Sequence, residues 1–229
     1  IVHTGDFKID RTPIDKSLFD ASRLTELGDD GVLVLLADST NIARPGYTDS
    51  ECSVTKGFQR IFDNAKGKLI VTTFSSSLHR LQVLIDLAVK FDRKISFVGR
   101  GMRRIVTLAQ QLGHLVVPLG CQISEKAVNN HHPSKVLCIA TGSQGEPLSA
   151  LSRIAVNSHP YIKLEDGDVV VFSARAIPGN QPAIGSLMNN LYRRGAEVID
   201  GETETVHVSG HGSEEELKLM LSLVRPRYF

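Results

Sequence analysis

The chain predicts an α/β fold built on a doubly wound parallel sheet, and three observations carry that prediction. Short apolar runs recur along it, continuous rather than alternating, as expected of strands buried on both faces. Stretches with apolar residues at helical spacing separate them. Almost every apolar run ends in a cluster of Gly, Ser, Thr, Asn or Asp. Strands and helices alternating at this spacing form parallel βαβ units covered on both sides.

In order, Ile1-Val2-His3-Thr4-Gly5-Asp6 reads as a short strand ending in a Gly-Asp turn. An amphipathic stretch at 22–27 runs into Gly28-Asp29-Asp30-Gly31, which reads as a turn. Residues 32–37 form a continuous apolar run, expected to be buried on both faces, that stops at Asp38-Ser39-Thr40-Asn41. A helix capped by Thr48 or Ser50 should reach Ala65, with Val54, Phe58, Ile61 and Phe62 on one face. Residues 68–74 are the next strand, and Ser75-Ser76-Ser77 opens a helix with Leu78, Leu81, Leu84, Ile85 and Ala88 as its apolar stripe. A strand at 95–98, a helix at 102–112 and a strand at 136–140 follow. Pro147 suits the first turn of the next helix. A strand at 168–172, a helix from Pro182 to Arg194 and a strand at 197–200 lead to residues 207–211, read as extended. Ser213 and Glu216 have capping-box spacing and start the last helix.

The 229 residues are 41% apolar and 22% charged, the composition of a soluble globular chain. The formal net charge is +1, so any nucleic-acid surface must be a local patch and not a global field. Three unevenly spaced cysteines, Cys52, Cys121 and Cys138, argue against a disulfide framework and fit a reducing cytosol. No apolar run reaches the ~20 residues of a membrane span. The chain begins at Ile1 in a strand-like segment and stops at Phe229 without a polar tail, and is expected to be an internal piece of a longer cytoplasmic protein.

Chemistry concentrates in residues 207–213. If His207-Val208-Ser209-Gly210-His211 is extended, the side chains at 207, 209 and 211 share one face, which sets imidazole, hydroxyl and imidazole together. In an open parallel sheet the carboxyl ends of strands share one edge, so the polar clusters at strand ends can converge on one crevice. Two kinds of chemistry recur there. Asp6, Asp38, His207 and His211 are oxygen and imidazole donors suited to a zinc-like ion. Thr141-Gly142-Ser143-Gln144-Gly145-Glu146 and Ser75-Ser76-Ser77, with His79, Arg80 and Arg175, offer amides, hydroxyls and guanidinium suited to phosphate. No Walker loop, dinucleotide fingerprint or nucleophilic-serine elbow is present. From the residues alone, a metal-assisted enzyme and a non-catalytic phosphate- or RNA-binding module both remain open.

In combination, His3-Thr4-Gly5-Asp6-Phe7-Lys8, Asp38-Ser39-Thr40-Asn41, Thr141-Gly142-Ser143-Gln144-Gly145-Glu146-Pro147, Ile177-Pro178-Gly179-Asn180 and Ser209-Gly210-His211 resemble bacterial ribonuclease J along essentially the whole chain. That family belongs to the beta-CASP group of metallo-β-lactamase-fold nucleases. The resemblance implies a two-zinc hydrolase that cuts RNA internally and also from a 5′-monophosphate end. It implies that Asp6 bridges the metals, that Asp38 belongs to an acidic motif opening the beta-CASP insertion, and that His211 is a catalytic histidine near the metals. Ser209, Gly210, Gly212 and Ser213, and Thr141, Gly142, Ser143, Gln144, Gly145 and Glu146, fall where the family grips RNA. His207, Ser76 and His79 join them as expected substrate contacts.

The family's main zinc motif, His-x-His-x-Asp-His, is absent from the chain. The expected layout is therefore a metallo-β-lactamase segment at 1–48, a beta-CASP domain at 49–203 and the start of a second metallo-β-lactamase segment at 204–229. Alone, such a piece should cleave little RNA. The longer protein would work with RNA and as a homo-oligomer or paralogue complex.

Overall fold

The computed structural model describes all 229 residues. The elements run β1 (Val2–His3), α1 (Ala21–Asp30), β2 (Leu35–Leu36), α2 (Val54–Asn64), β3 (Leu69–Thr72), α3 (Leu78–Lys90), β4 (Lys94–Val98), α4 (Arg100–Gln111), β5 (Val136–Ala140), α5 (Ala150–Ala155), β6 (Val169–Phe172), α6 (Gln181–Tyr192), β7 (Glu197–Ile199) and α7 (Glu214–Val224). The chain divides into two compact units: residues 1–53 with 208–229, and residues 54–207.

In the first unit, β1 and β2 pair in parallel, Val2 opposite Leu35 and His3 opposite Leu36. Val32, Leu35, Met220 and Val224 form its buried core, packed by Phe7, Phe19, Leu24 and Leu27. The run at 32–37 is not covered on both faces. Only Leu35 and Leu36 pair as strand, and while Val32 and Leu35 are buried, Leu33 and Leu36 are about half exposed. Burial therefore alternates, because the helices α1 and α7 cover one side only.

Gly28-Asp29-Asp30 is also not a turn. It is the last part of α1, which ends at Gly31 with φ 93°. Gly28 is there for closeness: a Cβ at that position would stand 2.3 Å from the Leu223 carbonyl oxygen of α7. A glycine read locally as a chain reversal is a helix-crossing point.

The second unit is the parallel sheet, with strand order β4-β5-β3-β6-β7. The strands β3, β5 and β6 are buried at every residue, which is why their sequences are unbroken apolar runs. The core gathers Ile70, Val136, Cys138, Val170 and Phe172 from the strands with Leu151, Ile154, Leu187 and Leu191 from α5 and α6. Full burial pushes the Cys138 thiol up to about 12, so it stays protonated and inert. At the amino end of the sheet, Asp168 accepts from the Lys68 backbone N–H at 2.8 Å and pairs with its ammonium at 3.3 Å, tying β3 to β6.

At the carboxyl end, the neighbouring strands β5, β3 and β6 deliver residues 141–146, 73–77 and 173–180 to one edge. Pro147 lies outside the helix it was expected to open. The helix α5 starts at Ala150, capped by Ser149, whose side chain accepts from the Ser152 N–H. All three cysteines are unpaired, and no helix is long and apolar enough to cross a membrane.

Candidate metal and phosphate site

The first unit brings Asp6, Asp38 and His211 together, with one potential ligand atom from each lying within 4.8 Å of the others. Asp6 follows β1 through Gly5, whose φ of 60° turns the chain and whose N–H donates to His3 Nδ1 at 2.9 Å. Asp38 follows β2, and its own N–H donates to Thr4 Oγ1 at 3.1 Å. The β1–β2 pairing thus sets the two carboxylates side by side. They flank an open cleft of about 430 Å³ that His3, Ala37 and Phe229 also line.

The two carboxylates have different surroundings. Both Asp38 oxygens are engaged: Oδ1 accepts from the Thr40 N–H (3.0 Å) and hydroxyl (2.7 Å), while Oδ2 meets His211 Nδ1 at 2.7 Å and the Phe7 N–H at 3.4 Å. Burial alone would raise its pKa. The Thr40 and His211 hydrogen bonds together outweigh it, and the carboxyl is held below its ordinary value. Asp38 is therefore an ionised acceptor, which requires the His211 proton to sit on Nδ1 and leaves Nε2 for another partner. Asp6, by contrast, is exposed and makes no hydrogen bond within the protein. Its oxygens are the ones available to a cation.

The loop carrying His211 is not a strand, and residues 207–210 pair with none. Side chains hold it instead. Asn41 Nδ2 donates to Ser209 Oγ (2.8 Å) and to the His211 carbonyl (3.0 Å), and the Thr48 hydroxyl donates to that same carbonyl at 2.8 Å. The Gly212 N–H donates to the Phe7 carbonyl at 2.6 Å. Ser213 is buried, its hydroxyl 2.9 Å from that of Thr48. Glu216, fully buried at the start of α7, accepts from the backbone N–H groups of Ile9, Thr48 and Ser213 at 2.7, 2.7 and 2.8 Å. Of the residues expected to face substrate in this loop, Gly210 is exposed and Ser209 half-buried, whereas Gly212 and Ser213 point to structure.

His207 belongs to the second unit. Its Nδ1 lies 3.1 Å from Arg80 Nη1, and that guanidinium also donates to the Ser173 hydroxyl (2.8 Å) and carbonyl (3.1 Å). Arg80, expected to meet phosphate, is only 2% exposed and fixes the loop after β6. Ser76 and His79 are exposed at the start of α3. Within 141–146, Gly142, Ser143 and Gln144 are buried and Glu146 is exposed. Gln144 fastens the neighbouring loop: its Nε2 donates to the Arg175 carbonyl, and its Oε1 accepts from the Ile177 N–H and Asn180 Nδ2. Sequence reasoning gave Asn41, Thr48 and Ser173 no role of their own in the site: Asn41 and Ser173 stood in polar clusters at strand ends, and Thr48 was read as a possible helix cap.

The donor set is oxygen and imidazole nitrogen, which fits a zinc- or manganese-like divalent ion. It is too small to hold one unaided, because zinc takes about four ligands and Asp38 is committed to His211.

Residues 66–191 match the family described as the beta-CASP domain of ribonuclease J. Across its full length the chain is 47% identical to Ribonuclease J of Synechocystis, 44% identical to Ribonuclease J of Thermus thermophilus, and 40% identical to Ribonuclease J2 of Bacillus subtilis. It spans 36%, 40% and 41% of those proteins' lengths. The similarity extends over both units. The chain belongs to the ribonuclease J family.

Proposed function

We propose that the protein containing this chain is a two-zinc ribonuclease that cuts RNA internally and also digests it from a 5′-monophosphate end, in a reducing cytoplasm. The observation that carries this reading is the Asp6–Asp38–His211 cluster: a free carboxylate beside an imidazole oriented by a second, ionised carboxylate. When bound, zinc would supply an activated water and charge stabilisation for phosphodiester hydrolysis. Asp6 would be this chain's ligand. Asp38, accepting from Nδ1–H, orients His211 so that Nε2, once protonated, can donate to a phosphate oxygen or pass its proton to the leaving oxygen. Exposed Gly210 offers a backbone N–H to the same phosphate. The exposed Ser76, His79 and Glu146 edge of the second unit would also contact RNA, and Ser143 and Gln144 shape that edge from beneath.

The test is the metal content of the full-length protein purified without chelator. Wild type should carry zinc or manganese, and Asp6→Ala should lose about half or more of it with little change in melting, since Asp6 touches nothing else. A wild-type protein without bound metal rules out the two-metal reading.

A further inference from the structure

We propose that Glu216 is the positioning residue that sets the spacing of Asp6 and His211, beyond its part in capping α7. The proposal rests on the ribonuclease reading of the site. A residue that only caps a helix end satisfies amides of its own first turn. Glu216 does that with one bond, to the Ser213 N–H. Its other two go to segments far off in sequence: Oε1 takes the Ile9 N–H and Oε2 the Thr48 N–H. Ile9 lies three residues after Asp6. Thr48 is the residue whose hydroxyl grips the His211 carbonyl. One side chain thus draws together the segments bearing the free carboxylate, the clamp on the histidine loop, and the loop itself.

The local packing gives this arrangement little slack. Glu216 is fully buried, and a Cβ on Gly212 would come within 3.1 Å of its Cβ and 3.4 Å of the Phe7 carbonyl oxygen. All three bonds are backbone N–H to carboxylate, and no basic side chain pairs with Glu216, so geometry rather than charge pairing defines the contact. Glutamine keeps the size of the side chain but turns one acceptor into an N–H₂ donor, which would face an N–H. Either the Ile9 strap or the Thr48–Ser213 pair must then let go.

The experiment compares full-length wild type with Glu216→Gln and with Val224→Ala, a buried α7 residue outside the site that lowers stability without touching it. Glu216→Gln is expected to reduce kcat on RNA about 100-fold with KM nearly unchanged. Zinc affinity should fall about 10-fold, while Val224→Ala keeps both. If Glu216→Gln melts lower yet retains wild-type kcat and zinc affinity, Glu216 is a helix cap only and the proposal is overturned. If it does not fold, Glu216→Asp decides, because it keeps both acceptor oxygens but draws them back by one methylene from the Ile9 and Thr48 N–H groups. A folded Glu216→Asp protein with unchanged kcat and zinc affinity overturns the proposal; a kcat-selective loss supports it. Should wild type cleave no RNA, the ribonuclease reading fails, and the zinc-affinity comparison still decides the positioning role.

Discussion

At the scale of single residues, the molecule relies on carboxylates that accept several N–H groups from distant segments. Asp10 is the clearest case outside the site. It accepts from the Thr12 N–H, the Ser50 hydroxyl and the Glu51 N–H, each between 2.9 and 3.0 Å. Burial raises its pKa, but those hydrogen bonds and nearby Lys8 bring it below 3.8. Since the folded value is the lower one, the unfolded chain binds more protons in acid. The stabilisation is therefore complete above about pH 4 and disappears as pH falls through the folded value. Asp10→Asn should cost about 1 kcal/mol at pH 7 by urea unfolding, with the gap closing near pH 2. Equal losses at both pH values would contradict the assignment. These networks were hidden in the sequence because each includes backbone amides about 40 to more than 200 residues away. Asp38, at a strand end beside short polar residues, was legible as a candidate; Glu216 was legible only as a cap.

Among the elements, the sequence spoke clearly where burial is total and ambiguously where it is one-sided. The strands β3, β5 and β6 show as apolar runs because helices cover both sides, and α3 shows as a stripe because one side is wet. The run at 32–37 has the same composition, yet within these 229 residues only one of its faces is covered, and composition alone does not distinguish the two. Gly28 misled for a different reason, since its role is set by a helix that follows almost 190 residues later. It gives a prediction at this scale. Gly28→Ala gains about 1 kcal/mol of helix propensity. It also drives a methyl into the Leu223 carbonyl, which costs about 3 kcal/mol once α1 and α7 move apart. The net loss of about 2 kcal/mol should show as a lower melting temperature, and a stabilised variant would contradict the close crossing.

For the whole molecule, the fold class and the family were legible, because strand order and burial follow from hydrophobic pattern and the motifs stand in a recognisable sequence. The completed site was not, because the Asp6–Asp38–His211 cluster offers one free carboxylate and one oriented histidine, fewer donors than a zinc ion needs. The isolated 229-residue chain should therefore cleave RNA at least about 1,000-fold more slowly than the full-length protein, while retaining weak, salt-sensitive binding. Comparable cleavage rates for the two would mean that this chain holds a complete site of another kind. The central claim is that His211, oriented by Asp38, acts on the scissile phosphate. Its most direct test is single-turnover cleavage of a 5′-monophosphorylated RNA by full-length wild type and His211→Ala. The account predicts a rate at least about 100-fold lower for the variant, with RNA affinity and zinc content largely kept; cleavage at the wild-type rate would contradict it.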